Sequence, residues 1–189
     1  KIDMTSWLST IDILKVMSPY SLKYKDFEFF GAVPIDFDHE IIENVCVSDA
    51  LCKINIESLY KKGKTKLGIV FNMDEHYKTG SHWISMFVDL HTAGIYYFDS
   101  YGYPPPREVS ILIDKIKKQG DALIKKNPEY AKSIDNIHSK KFHFKKNSPY
   151  SVLIGGYTEI KADLPVLFTK KDSKIFSELN IVSKKKGDE

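Results

Sequence analysis

Apolar residues recur at helical spacing near the start of the chain, at Ile11, Leu14 and Met17, behind a run of polar residues that includes Ser6 and Ser9. That pattern predicts a short amphipathic helix over Thr10 to Met17, stopped by Ser18-Pro19. Phe27 to Phe30 reads as a strand, and residues 31–37 as an irregular extended piece, because Pro34 has no backbone N–H to give a ladder. Ile42, Val45, Leu51, Ile54, Ile56 and Leu59 keep partial helical periodicity, which predicts a helix over Ile41 to Tyr60. A lysine-rich turn, Lys61 to Lys66, leads into the apolar run Leu67 to Phe71, which suits a central strand.

The pattern changes to period two after a loop spanning Asn72 to Ser81. Ile84 to Leu90 and Gly94 to Asp99 are β-branched and aromatic, with His91-Thr92-Ala93-Gly94 between them, so they form an antiparallel hairpin. A symmetric turn would put His82 directly opposite Asp99, with Cβ atoms roughly 4.5–5.5 Å apart. A carboxylate there holds an imidazole in one tautomer, as a general base beside a nucleophile requires, but it also makes an ordinary edge-strand ion pair. Tyr101 to Pro106 is a rigid turn, and a helix opens at Arg107 with Val109, Leu112, Ile113 and Ile116 on one face. Gly120 and Ala122 to Lys126 carry it toward Pro128. Ser139 to Lys146 alternates weakly, as a strand with Phe142 and Phe144 on one side and His143 on the other.

Composition narrows the class. The 189 residues, 42% hydrophobic and 13% aromatic, suit one globular domain with a core of its own. The net charge is only +3, and Arg107 is the single arginine. Base readout and bidentate phosphate contacts prefer arginine, so no nucleic-acid partner is expected. No stretch of eighteen apolar residues or signal peptide is evident, so neither membrane insertion nor secretion is expected. Cys46 and Cys52 fit neither zinc-ligand spacing nor a redox C-x-x-C, and read as buried thiols of a soluble protein from a reducing compartment. No metal ligand set and no cofactor are called for. The lysines at 184–186 read as a solvated tail.

Gly68, Asn72, Asp74, Gly80, His82, Trp83, Asp89, Tyr97, Phe98, Asp99 and Ser100 together resemble the signature of the adenain and SUMO-specific (ubiquitin-like-protein) protease clan of cysteine proteases. Within that clan they are most similar to the maturation proteases of large DNA viruses, such as the polyprotein protease of African swine fever virus. Trp7, Leu8, Asp12 and Ile13 fit the segment that opens the viral domains. The resemblance implies an α+β papain-like fold, a central, mostly antiparallel sheet flanked by helices. Residues 1–66 would form a helical N-terminal part, 67–103 the sheet with its hairpin, and 104–189 the helices and C-terminal part.

It also implies roles. His82 would be the base and Asp99 its orienting acid; Trp83, Gly80 and Ser148 would line the substrate site, Gly80 leaving room for backbone beside the histidine and Trp83 screening the site from water, unless its indole is simply core. The family's downstream cysteine, however, has no counterpart. Asn147 stands in its register, Ser148 where a glycine follows, and Lys141 where the oxyanion glutamine belongs. A carboxamide is not an activatable nucleophile at neutral pH. The expectation is therefore a catalytically dead relative that binds a Gly-Gly-type polypeptide or ubiquitin-like protein, or serves with other virion proteins, in host cytoplasm or virion. The alternative is an active cysteine endopeptidase that processes viral polyprotein or ubiquitin-like precursors at Gly-Gly-type sites, with Cys46 or Cys52 brought to His82 as the nucleophile.

Overall fold

The computed structural model describes residues 7–132 and the backbone of residues 151–155. Helix α1, Thr10–Lys23, starts where the sequence places it, at a capping box. The Ser9 hydroxyl accepts the Asp12 N–H at 3.2 Å, and the Asp12 carboxylate accepts the Ser9 N–H at 2.9 Å. It does not stop at Pro19. Proline removes one donor, the Ser18 hydroxyl gives a hydrogen bond of 2.6 Å to the Leu14 carbonyl, and the helix runs on to cap at Tyr24. No residue of α1 is buried.

Strand β1, Phe27–Pro34, takes in most of the stretch expected to be irregular. It can, because it lies at a sheet edge and Pro34 is its last residue. The helix expected over Ile41 to Tyr60 is absent. In its place are a small hairpin, β2 (Glu40–Ile42) and β3 (Val45–Cys46), and two short helices, α2 (Asp49–Cys52) and α3 (Ile56–Lys61). Asn44 turns the hairpin with φ +62°, and the Asn55 side chain caps α3 by accepting the Ser58 N–H at 2.8 Å. This corner also corrects the reading of Cys46 and Cys52 as thiols: their sulfurs are bonded to each other.

Strands β4 (Lys66–Asn72), β5 (Trp83–Asp89), β6 (Gly94–Asp99) and β7 (Ser151–Gly155) complete a five-stranded sheet in the order β1-β4-β5-β6-β7. The inner ladders are antiparallel and the two outer ones parallel, so the sheet is mixed. Alternation along the strands sends Leu67, Ile69, Phe71, Ile84, Met86, Val88, Ile95 and Tyr97 into one buried cluster. Helix α4, Arg107–Lys126, joins it through Val109, Leu112, Ile113, Ile116 and Leu123, and passes unbroken through Gly120. Polar contacts tie α4 to the α2–α3 corner: Gln119 receives the Ile56 N–H at 2.8 Å and donates to the Ile54 carbonyl at 3.1 Å, and Lys115 donates to the Cys52 carbonyl at 2.6 Å. The sheet is thus backed by a rigid layer, and β5 and β6 are held at its centre. The expected strand at Ser139 to Lys146, the segment with Lys141, Asn147 and Ser148, and the lysine tail lie outside the described residues.

Candidate active site

His82 sits one residue ahead of β5, and Asp99 is the last residue of β6. The hairpin register differs by two from the symmetric one: Ile84 faces Asp99, and Asp89 faces Gly94. A shift of two preserves which face each side chain takes, whereas a shift of one would have reversed it. The two side chains therefore meet as diagonal neighbours, with His82 Nε2 2.7 Å from Asp99 Oδ1. Asp99 is buried and the His82 side chain is 19% accessible. Since the carboxylate accepts at Nε2, that nitrogen carries the proton in the neutral ring, and Nδ1 is the atom left to accept one. Asp99 Oδ1 also accepts the Tyr101 N–H at 2.9 Å, and the Tyr101 ring lies 4.4 Å, centre to centre, from the imidazole. Burial, helped by the Asp99 charge, pushes the neighbouring Tyr97 phenol up to about 12.

The loop before His82 is closed on itself. Asn72 Oδ1 accepts N–H groups from both arms, Asp74 at 3.0 Å and Ser81 at 3.2 Å, and the Ser81 hydroxyl donates to Asp74 at 2.9 Å. The Met73 N–H reaches the His82 carbonyl at 2.8 Å. Gly80 makes this closure possible: its φ is +94°, and a Cβ there would stand 2.5 Å from Asn72 Nδ2. Gly80 thus leaves room for the Asn72 amide within the loop. A second histidine ties the loop to the turn after β1, with His76 Nδ1 2.6 Å and its N–H 2.9 Å from the two Asp36 oxygens, and His39 stacked on its ring.

Trp83 is neither core nor free. It is half-buried, and its indole N–H donates to the Leu8 carbonyl at 2.9 Å, which fixes the start of α1 against β5. Two adjoining clefts, of about 280 and 330 Å³, share Trp83, Gly80, Asn72, Thr79 and Thr10 in their walls. One continues over Pro34, Val47 and His76, the other over Trp7, Leu8 and Ile11. Of the residues singled out from sequence, the structure pairs His82 with Asp99 and sets Gly80 and Trp83 together in the cleft walls, to which neither His82 nor Asp99 contributes, while Asn147 and Ser148 lie outside the described residues. Sequence reasoning missed the Asn72 clamp, the Tyr101 stack and the Asp36–His76 pair. Asn72 belongs to the recognised motif, and Tyr101 had a usable signal in its place two residues after Asp99; nothing along the chain links residues 36 and 76. No helix among the described residues is long and apolar enough to cross a membrane.

No family model matches the sequence. The chain is 39% identical over 127 residues to the Acanthamoeba polyphaga mimivirus protein R355, which bears the name of a thiol protease, a match covering 65% of this chain and 40% of that protein. It is 28% identical over 123 residues to an African swine fever virus protein named SUMO-1 cysteine protease S273R, covering 61% of this chain and 45% of the relative. The chain therefore spans less than half the length of these curated relatives. Its fold is similar to that of the crystal structure of the African swine fever virus pS273R protease, with a TM-score of 0.52 at 23% identity, over 83% of this chain and 51% of that one.

Proposed function

We propose, for a chain that is a homologue of the SUMO-protease-like cysteine proteases of large DNA viruses, that it binds an extended polypeptide in the cleft walled by Gly80 and Trp83 without cleaving it. The observation that carries this reading is the pairing of Cys46 with Cys52. They are the only cysteines in the sequence, and bonded to each other they offer no thiol for His82 to activate. Asn147 in the nucleophile's register supports the same conclusion.

The base and its acid remain, as His82 and Asp99, and so do Gly80 and Trp83 on the cleft wall. A groove needs shape, not a thiol. The occupant that suits such a wall is a strand with small residues, of the Gly-Gly type found at the end of ubiquitin-like proteins, whose backbone can pass close beside an indole. A virion or host-cytoplasmic protein carrying that segment is the proposed partner.

The test uses a Gly-Gly peptide in two forms. Bearing a C-terminal electrophile, it should leave the mass of the protein unchanged; an adduct on Cys46 or Cys52 that disappears in His82→Ala would replace the reading with that of an active peptidase. Unmodified, it should quench Trp83 fluorescence in a Trp7→Phe background, since those are the only two tryptophans. In Asn147→Cys/Ser148→Gly a thiol proton can pass to His82 Nδ1 as the sulfur attacks the peptide carbonyl, and the imidazolium can return it to the departing amine. A slow acylation burst is the expected result. A folded double variant with neither quenching nor burst would sink the groove reading.

A further inference from the structure

Tyr101 is an exposed aromatic side chain whose ring lies against the His82 imidazole. The residue is 62% accessible, yet its ring centre lies 4.4 Å from that of His82, with the planes 32° apart. Its backbone is engaged at the same place, because the Tyr101 N–H and His82 Nε2 share one oxygen of Asp99. The local sequence forces the return. Gly102 at φ +75° lets its N–H bond the Asp99 carbonyl at 2.9 Å, which turns the chain back over the hairpin end, and the Tyr103 ring centre stands 6.2 Å from that of Tyr101.

We propose that Tyr101 is a positioning residue that fixes the plane of the His82 ring. A single hydrogen bond at Nε2 sets one distance but leaves the imidazole free to swing, since χ2 of histidine is broad and roughly two-fold. A ring face laid on the imidazole removes that freedom and keeps Nδ1 aimed one way. Asp99, Tyr101 and His82 then form a closed loop in which the carboxylate is oriented by the backbone of the residue whose side chain orients the base. The phenol hydroxyl has no part in this. The significance of the device rests on the peptidase-type reading of His82 and Asp99, whereas its spectroscopic test does not.

The test is histidine NMR on the whole chain, with the His82 signals assigned by their loss in His82→Ala. Two readouts serve: solvent exchange of the Nε2 proton, and the ring-current displacement of the His82 Cε1 proton under the Tyr101 face. Tyr101→Leu should speed exchange about two- to tenfold, the factor an aromatic contact contributes, and should abolish the displacement. Tyr101→Phe should match the parent in both. Amide spectra of β4, β5 and β6 report that each variant is folded, and the exposure of Tyr101 means that no core is opened. Unchanged readouts in Tyr101→Leu, or a phenylalanine variant that behaves like leucine, would overturn the proposal. In the Asn147→Cys/Ser148→Gly background, Tyr101→Leu should lower kcat by a similar factor at constant KM. A raised KM at constant kcat would instead make Tyr101 a substrate contact and equally overturn it.

Discussion

Replacing Gly80 by alanine tests whether the loop ahead of His82 is held by the Asn72 amide. Two effects add. An L residue at φ +94° costs about 1–2 kcal/mol in left-handed backbone strain. The new Cβ, 2.5 Å from Asn72 Nδ2, also has to push that side chain aside and loosen the two N–H bonds its oxygen accepts, each worth about 1 kcal/mol net. The sum is about 3–4 kcal/mol. Gly63 supplies the control. Its φ is +74° but nothing lies within 4 Å of its Cβ position, so Gly63→Ala should cost only the backbone part, about 1–2 kcal/mol. Equilibrium urea unfolding gives both values, read from the midpoint at unchanged slope. Hydrogen exchange at the Asp74 and Ser81 amides shows whether the loop opens before the rest of the domain. In an Asn72→Ala background the excess cost of Gly80→Ala should vanish, because the collision has gone. Equal losses for Gly80→Ala and Gly63→Ala in the parent chain would refute the reasoning.

Two further expectations concern titration and the cysteine pair. Because the Tyr97 phenol is raised to about 12 from an ordinary value of 10.0, the folded chain holds that proton where the unfolded chain has released it. Stability should therefore fall as pH climbs from 10 toward 12, and urea midpoints across that range should show a shallower fall in Tyr97→Phe; an identical slope would remove Tyr97 from the account. Alkylation followed by mass spectrometry should label no cysteine before reduction and two after it. Opening so short a loop should lower stability by about 2 kcal/mol on the chain-entropy account, measured against Cys46→Ser/Cys52→Ser, which should show no response to reductant.

The hairpin was readable because period two is a strong signal and because an error of two residues in register does not change faces, so His82 and Asp99 stayed together although their direct pairing was misplaced. The same tolerance does not exist for helices. In the stretch from Ile41 to Tyr60, Leu51, Ile54 and Ile56 are buried, but they come from α2, a linker and the first position of α3. Tertiary packing produced their spacing, and the stops were written in residues with weak individual signals, Asn44 at a left-handed turn and Asn55 at a cap. Pro19 misled in the opposite direction, since a proline near a helix end removes one bond and not the helix. Cys46 and Cys52 could not be paired from sequence, because their approach depends on the hairpin and the short helix between them. The Asp36–His76 contact joins two loops forty positions apart and has no local signature.

Every described contact that sets the His82 ring comes from one short run of chain, from Asn72 to Tyr101. The register expected for an attacking group, by contrast, is at Asn147, far along the polypeptide. Among the described residues, the contacts that shape the His82 ring thus come from the hairpin and the loop ahead of it. Inheritance can act on the two pieces separately: a lineage can lose the nucleophile by drift at one place while selection, or simple folding stability, preserves the other intact. On the proposed reading the same separability works in reverse: a search for peptidase activity should randomise residues 141–150 while leaving residues 72–101, and strand β7 beside them, untouched.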